Sequence, residues 1–162
     1  ANGLTVYASL EELEQAGEGR FSLISMAHVL EHLPQPTEYL AHLRTSLLEA
    51  DGHLLIEVPN LYAHDSFETA HLVSYSSHTL TQTLQKAGFV VEKLEAHGRP
   101  RSAVIPLYLT ILARPAKETE MKGFSVKAEQ QVAIKRKIGM LRRKILTRIM
   151  PAKAWMQPGK TE

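Results

Sequence analysis

The sequence predicts an α/β domain closed by an antiparallel C-terminal edge hairpin, followed by a basic amphipathic helix. Three observations carry this expectation. Short apolar runs alternate with helix-periodic segments along the first two thirds of the chain. The last two such runs have only a proline-containing loop between them. Beyond them, the composition changes sign of charge.

The charge asymmetry marks the organisation. The 162 residues hold 19 Lys plus Arg and 17 Asp plus Glu, a formal net charge of +2. Residues 1–116 carry 7 basic and 13 acidic side chains, hence 7 − 13 = −6, and residues 117–162 carry 12 and 4, hence 12 − 4 = +8. The break near Arg114-Pro115-Ala116 is therefore the expected domain boundary, with a body over 1–116 and a basic helical tail over 117–162. With 44% hydrophobic residues the body is long enough to bury a core. The absence of cysteine excludes a disulfide scaffold, a thiol nucleophile and a Cys-ligated zinc site. No apolar run approaches the roughly 20 residues of a membrane span, and the first residues lack a signal-peptide pattern, so a cytoplasmic protein is expected.

The elements follow in order. Leu4-Thr5-Val6-Tyr7 is a short β-prone run, and Ser9 can cap a helix from Leu10 to Gln15. Phe21 to Ala27 reads as a strand buried on both faces. After Pro34 and Pro36, the spacing of Tyr39, Leu40, Leu43 and Leu47 predicts a helix that Gly52 stops. His53 to Val58 is the next strand, ended by Pro59-Asn60, and a His-rich polar loop runs from Leu61 to Tyr75. Ser76 or Ser77 can cap a helix with Leu80, Leu84 and Ala87 on one face and Gly88 at its end. Phe89 to Leu94 and Leu107 to Leu112 complete the sheet as a long hairpin. In the tail, Ile134, Ile138, Leu141, Ile145 and Ile149 recur at spacings of four, three, four and four among lysines and arginines.

Three blocks in order carry a family resemblance. They are Phe21 to Ala27 running into His28-Val29-Leu30-Glu31-His32-Leu33-Pro34, then Gly52 to Asn60, then His71-Leu72-Val73-Ser74-Tyr75-Ser76 with Ala87-Gly88-Phe89. Over roughly Gly3 to Pro115 the chain resembles the C-terminal half of class I S-adenosylmethionine-dependent methyltransferases, in the ubiquinone-type O-methyltransferase branch. The resemblance implies a partial Rossmann-like sheet holding the third to seventh strands. No Gly-x-Gly-x-Gly is present to cradle the methionine end of the cofactor, so a truncated domain is expected. In the family's strand order, 3-2-1-4-5-7-6, the first two strands lie beside the strand that corresponds to Phe21–Ala27. The chain alone is therefore expected to aggregate, to dimerise through that edge, or to cover it with its N-terminal segment.

The resemblance also distributes roles. S-adenosylmethionine is the implied cofactor, with Ala8 and Ser9 near the adenine and Ser25, Met26, Ala27 and His28 lining it at a strand's carboxyl end. A hydroxyl acceptor needs a base, and His28, His64 and His71 are the candidates because imidazole titrates near neutrality. Tyr62 and Phe67 are the expected walls of the acceptor pocket, and Arg99 a contact to an anionic acceptor. His42, His53, His78 and His97 read as surface or structural positions. His28 to His32 also has the His-x-x-Glu-His pattern of a class of zinc peptidases, but Pro34 cuts it short and no partner ligand is visible. Related quinone O-methyltransferases place carboxylates around this segment that hold a divalent cation. His28 stands where such a carboxylate would be, so no metal is expected.

The expected activity is methyl transfer to oxygen on a small-molecule or glycolipid-type acceptor. The alternative is a non-catalytic module that docks a membrane or protein partner through the basic helix. That helix could lie peripherally on an anionic membrane, pack on the body, or mediate homo-oligomer formation. With only Trp155 near its end and no interleaved aromatics, no specific nucleic-acid binding is expected.

Overall fold

A computed structural model describes residues 3–65 and 69–156. Helix α1 (Leu10–Gln15) starts where Ser9 accepts a hydrogen bond from the Glu12 amide. Strand β1 (Phe21–Ala27) follows, then a 3₁₀ turn (Leu30–His32) and α2 (Pro36–His42), which widens into a π-type turn (Leu43–Leu47). Strand β2 runs over Leu48–Pro59, α3 over Ser77–Lys86, β3 over Phe89–His97 and β4 over Tyr108–Pro115. The tail forms α4 (Glu118–Met121), α5 (Val132–Ile149) and α6 (Pro151–Ala154).

The sheet order is β1-β2-β4-β3. β1 and β2 are parallel, while β4 runs antiparallel to both of its neighbours, β2 and β3. The hairpin inferred from the sequence is therefore present, with its second strand inserted next to β2. Helices α2 and α3 cover one face of this sheet. Their Leu40, Leu80 and Leu84 pack with Met26, Leu54, Ile56, Val58, Leu109 and Ile111 in the main core. Ser76 and Thr79 cap α3 reciprocally, and Gly88 ends it at φ +88°, a conformation that costs glycine little.

Three expectations are corrected. Leu4 to Tyr7 forms no strand: Leu4 and Val6 are exposed, and a strand needs a hydrogen-bonded neighbour, which this segment does not meet among the described residues. β1 is not buried on both faces. It is an edge strand whose core side is Ile24 and Met26, while Leu23 is 55% exposed and Ser25 and Ala27 also face outward. Among the described residues no strand pairs with its outer edge, and residues 3–9 lead into α1 without forming one. Gly52 does not stop the second helix. That helix ends at Leu47, and Gly52 lies within β2, where an added Cβ would come 3.0 Å from the Phe21 carbonyl oxygen.

The tail docks on the body. Leu146, Ala154 and Trp155 join Ala63, Val104, Ile105, Leu107 and Tyr108 in a second apolar cluster. The β3–β4 loop is stitched to it through backbone bonds, Ala103 N–H to the Lys153 carbonyl (2.8 Å) and Met156 N–H to the Arg101 carbonyl (2.9 Å).

Candidate functional site at the carboxyl ends of β1 and β2

The parallel pairing of β1 with β2 sets Ala27 beside Glu57, and the His28 amide donates to the Glu57 carbonyl (2.9 Å). His28 then turns out of the strand at φ +54°, a left-handed conformation that a β-carbon disfavours and that clusters at functional positions. This turn places the imidazole between two carboxylates. Nδ1 lies 3.3 Å from Glu31 Oε1 and Nε2 lies 3.5 Å from Glu57 Oε1. The Tyr108 ring meets the imidazole edge-on at 5.2 Å.

Glu57 is held from the far side by the antiparallel strands. Thr110, its register partner on β4, donates its hydroxyl to Glu57 Oε2 (3.0 Å). His97 Nε2 lies 3.2 Å from the same oxygen and 2.7 Å from Thr110 Oγ1. Glu31 differs: it is 1% exposed, and neither side-chain oxygen has a hydrogen-bond partner among the described residues. A carboxylate in that condition normally requires compensation by charge or by a bound group. Its backbone carbonyl accepts from the Leu72 and Val73 amides, which draws the loop after β2 over it. Tyr75, 1% exposed, lies behind; burial and then the Glu31 charge push its phenol well above the ordinary range.

That loop brings His71 against His32, ring to ring at 4.8 Å. His32 Nδ1 donates to the Ala70 carbonyl (2.9 Å), so in the neutral ring the lone pair is on Nε2, 3.9 Å from Glu31 Oε1. One ligand atom from each of Glu31, His32 and His71 lies within 4.8 Å of the others. Two imidazoles and a carboxylate are a donor set suited to a borderline divalent cation, and the His32–Ala70 bond is the kind of outer contact that orients a ligating histidine. No partner ligand for Glu31 and His32 is visible in the sequence; the fold brings His71 to them.

The remaining predicted residues divide. Met26 is in the core, with Ser25 and Ala27 on the opposite, open face of β1. His64 donates Nε2–H to the Leu107 carbonyl (3.0 Å), and its ring lies 6.3 Å from that of Tyr108, so it borders the same group. Tyr62 donates to Glu129 Oε1 (2.7 Å) and is turned toward the tail; burial, then the Glu129 bond and charge, push its phenol up to about 12. Ala8 and Ser9 spend their polar groups on the first turn of α1, on Glu12. Arg99 is exposed in the β3–β4 loop, and Phe67 lies outside the described residues. His97, read as structural, belongs with the His28 group. Glu57, Thr110 and Tyr108 were missed altogether. The one available signal was a glutamate and a threonine interrupting apolar strands. The other three histidines tie elements together: His42 to Glu14 (2.8 Å), His53 to Glu92 (3.3 Å) and His78 to the Lys127 carbonyl (2.8 Å).

Residues 5–94, more than half of the chain, match the family model of the methyltransferase domain. The chain belongs to this methyltransferase-domain family. The CcbJ methyltransferase from Streptomyces caelestis is 17% identical over 62% of this chain and 59% of its own length, with a TM-score of 0.50, and shares the fold. The 1,6-didemethyltoxoflavin-N1-methyltransferase of Burkholderia thailandensis, solved with 1,6-didemethyltoxoflavin and S-adenosylhomocysteine, is 26% identical over 62% of this chain and 46% of its own, with a TM-score of 0.49. This methyltransferase domain thus spans about half the length of these two structures. No curated protein matches it.

Proposed function

We propose that the chain supplies the acceptor-side half of an S-adenosylmethionine-dependent methyltransferase, in the ubiquinone-type branch, which methylates a hydroxyl of a small-molecule or glycolipid-type acceptor. The observation that carries this reading is His28, held at positive φ at a strand's carboxyl end between the Glu31 and Glu57 carboxylates. Ligands of open α/β sheets bind at that end. S-adenosylmethionine would supply the electrophilic methyl carbon, and transfer to oxygen leaves one proton to be removed.

The residues present fit the acceptor and adenosyl side of such a site. Ser25 and Ala27 are small and sit on the uncovered face of β1, leaving room beside His28; with Ala8 and Ser9 they are assigned to the cofactor. The Gly-rich cradle is not among the 162 residues. The acceptor hydroxyl would enter beside Nε2 of His28, where the Glu57 contact is the longer, and give its proton to that nitrogen. Glu31 at Nδ1 orients the ring, and both carboxylates balance the imidazolium that forms. His64 and His71 remain second candidates for the base, on the loop that also carries Tyr62 and Phe67. Arg99 is assigned to an anionic group of the acceptor.

The test is label transfer from S-[methyl-14C]adenosylmethionine, by the protein as its gene encodes it, to phenolic, catecholic and sugar hydroxyls. Label should enter an oxygen-linked methyl and fall at least about 100-fold in His28→Ala, the range for a lost general base. Label on nitrogen or carbon would overturn the acceptor assignment. Undiminished transfer by His28→Ala would overturn the role of His28.

A further inference from the structure

The docking of α5 leaves an unexpected face in water. An amphipathic helix normally turns its apolar stripe to the body, but here the contact side is Arg136, Gly139, Arg143 and Leu146. Arg136 donates to the His64 carbonyl (3.2 Å), Arg143 to the Ala63 carbonyl (2.8 Å), and Leu146 enters the second cluster. A Cβ on Gly139 would stand 2.0 Å from the Tyr62 carbonyl oxygen, so the helix backbone lies directly on that loop. The apolar stripe is on the opposite side. Ile134, Ile138, Leu141, Ile145 and Ile149 are 46–69% exposed and share an arc of roughly 80° at 100° per residue.

Cations border this stripe on both flanks. Lys137, Lys144 and Arg148 lie along one side, Arg142 and Lys135 along the other, and α5 contains no acidic residue. Of these five, Lys135 is paired with Glu129 (2.9 Å), and Lys137, Arg142, Lys144 and Arg148 face solvent. Five exposed aliphatic side chains in one line are an interaction surface rather than scattered exposure.

We infer that α5 is a docking helix for an anionic lipid surface, lying flat with Ile134, Ile138, Leu141, Ile145 and Ile149 among the acyl chains and the flanking lysines and arginines at the phosphates. An apolar stripe with cationic borders matches the layering of a bilayer interface, apolar inside and anionic at the rim. A second copy packed stripe to stripe would set its flanking cations against these, with no acidic residue on α5 to relieve them. A nucleic acid would pair with the cations but leave five aliphatic side chains against phosphate. No described helix is long and apolar enough to cross a bilayer, and the contact made through α5 is a peripheral one. Because the other side of α5 carries the His64 loop, docking would hold that loop about one helix diameter, ~10 Å, from the lipid. This inference stands whether or not the chain transfers methyl groups.

The experiment is co-sedimentation of the full chain with vesicles of phosphatidylcholine alone or mixed with phosphatidylglycerol, at low and high salt. The chain should pellet with the mixed vesicles at least about tenfold more tightly than with neutral ones, and salt should weaken this. Ile138→Ser with Leu141→Ser should abolish it, as should glutamine at Lys137, Arg142, Lys144 and Arg148. All six positions are exposed, and unchanged Trp155 fluorescence reports intact docking of the tail. No binding to the mixed vesicles would overturn the inference. So would equal binding to neutral ones, or stripe-dependent self-association without vesicle binding. Duplex DNA competing fully for the chain, with the serine variants binding it undiminished, would also overturn it.

Discussion

Replacing His28 by glycine and by alanine separates backbone strain from side-chain contacts at the candidate site. Both variants lose the same imidazole, including its approaches to Glu31 and Glu57 and its edge contact with Tyr108. Those contacts are lost equally in both variants, so they cancel in the comparison. What differs is the backbone at φ +54°. At an ordinary position alanine is the more stable by roughly 0.5–1 kcal/mol, because glycine loses more conformational entropy. In the left-handed region a Cβ costs roughly 1–2 kcal/mol, and only alanine retains it. The order therefore inverts, with His28→Gly more stable than His28→Ala by about 1 kcal/mol, or about 3 °C in midpoint for a domain of this size. Urea and thermal denaturation followed by circular dichroism would measure it. A glycine variant equal to or less stable than the alanine variant would refute the claim that His28 is held under strain.

The tail interface supports two further predictions. Gly139→Ala would normally stabilise a helix by about 1 kcal/mol. Here its Cβ meets the Tyr62 carbonyl at 2.0 Å, and overpacking at about 1–3 kcal/mol outweighs that gain. Its denaturation midpoint should fall and Trp155 should become more exposed; a raised midpoint would contradict this docking. The second concerns pH, because Glu129 accepts from both Tyr62 and Ser76 and pairs with Lys135. Burial pushes the Glu129 carboxyl up, but the Ser76, Lys135 and Tyr62 bonds outweigh it and leave it below 4.5. Its contribution is therefore complete above about 4.5 and lost as pH falls through the lower folded value. Tyr62, raised to about 12, contributes fully below 10 and loses that contribution as pH rises from 10 to about 12. Trp155 emission should accordingly hold a plateau between these limits, and emission unchanged from acid to alkaline extremes would refute the role of this cluster.

Local features were legible in the sequence because their causes are local. The span of β1 follows from a short apolar run over Phe21–Ala27, and the start of α3 from a serine, Ser76 or Ser77, ahead of the Leu80, Leu84 and Ala87 face. That Ser76 is the cap, with Thr79 as its partner, came from the structure. The amphipathic period of α5 needs no partner to be read. What needed a partner could not be read. Leu4 to Tyr7 has strand composition, but a strand exists only where another donates and accepts along it. Glu57 and Thr110 are 53 residues apart and meet because β4 inserts between β2 and β3 in one register, which also brings His97 to the same carboxylate. His71 reaches Glu31 and His32 only because the Leu72 and Val73 amides bond the Glu31 carbonyl. The sequence by itself determined that α5 has an apolar stripe with cationic borders. Only the tertiary structure decided which way the stripe faces, because the missing side chain of Gly139 lets the opposite side of the helix rest on the Tyr62 backbone.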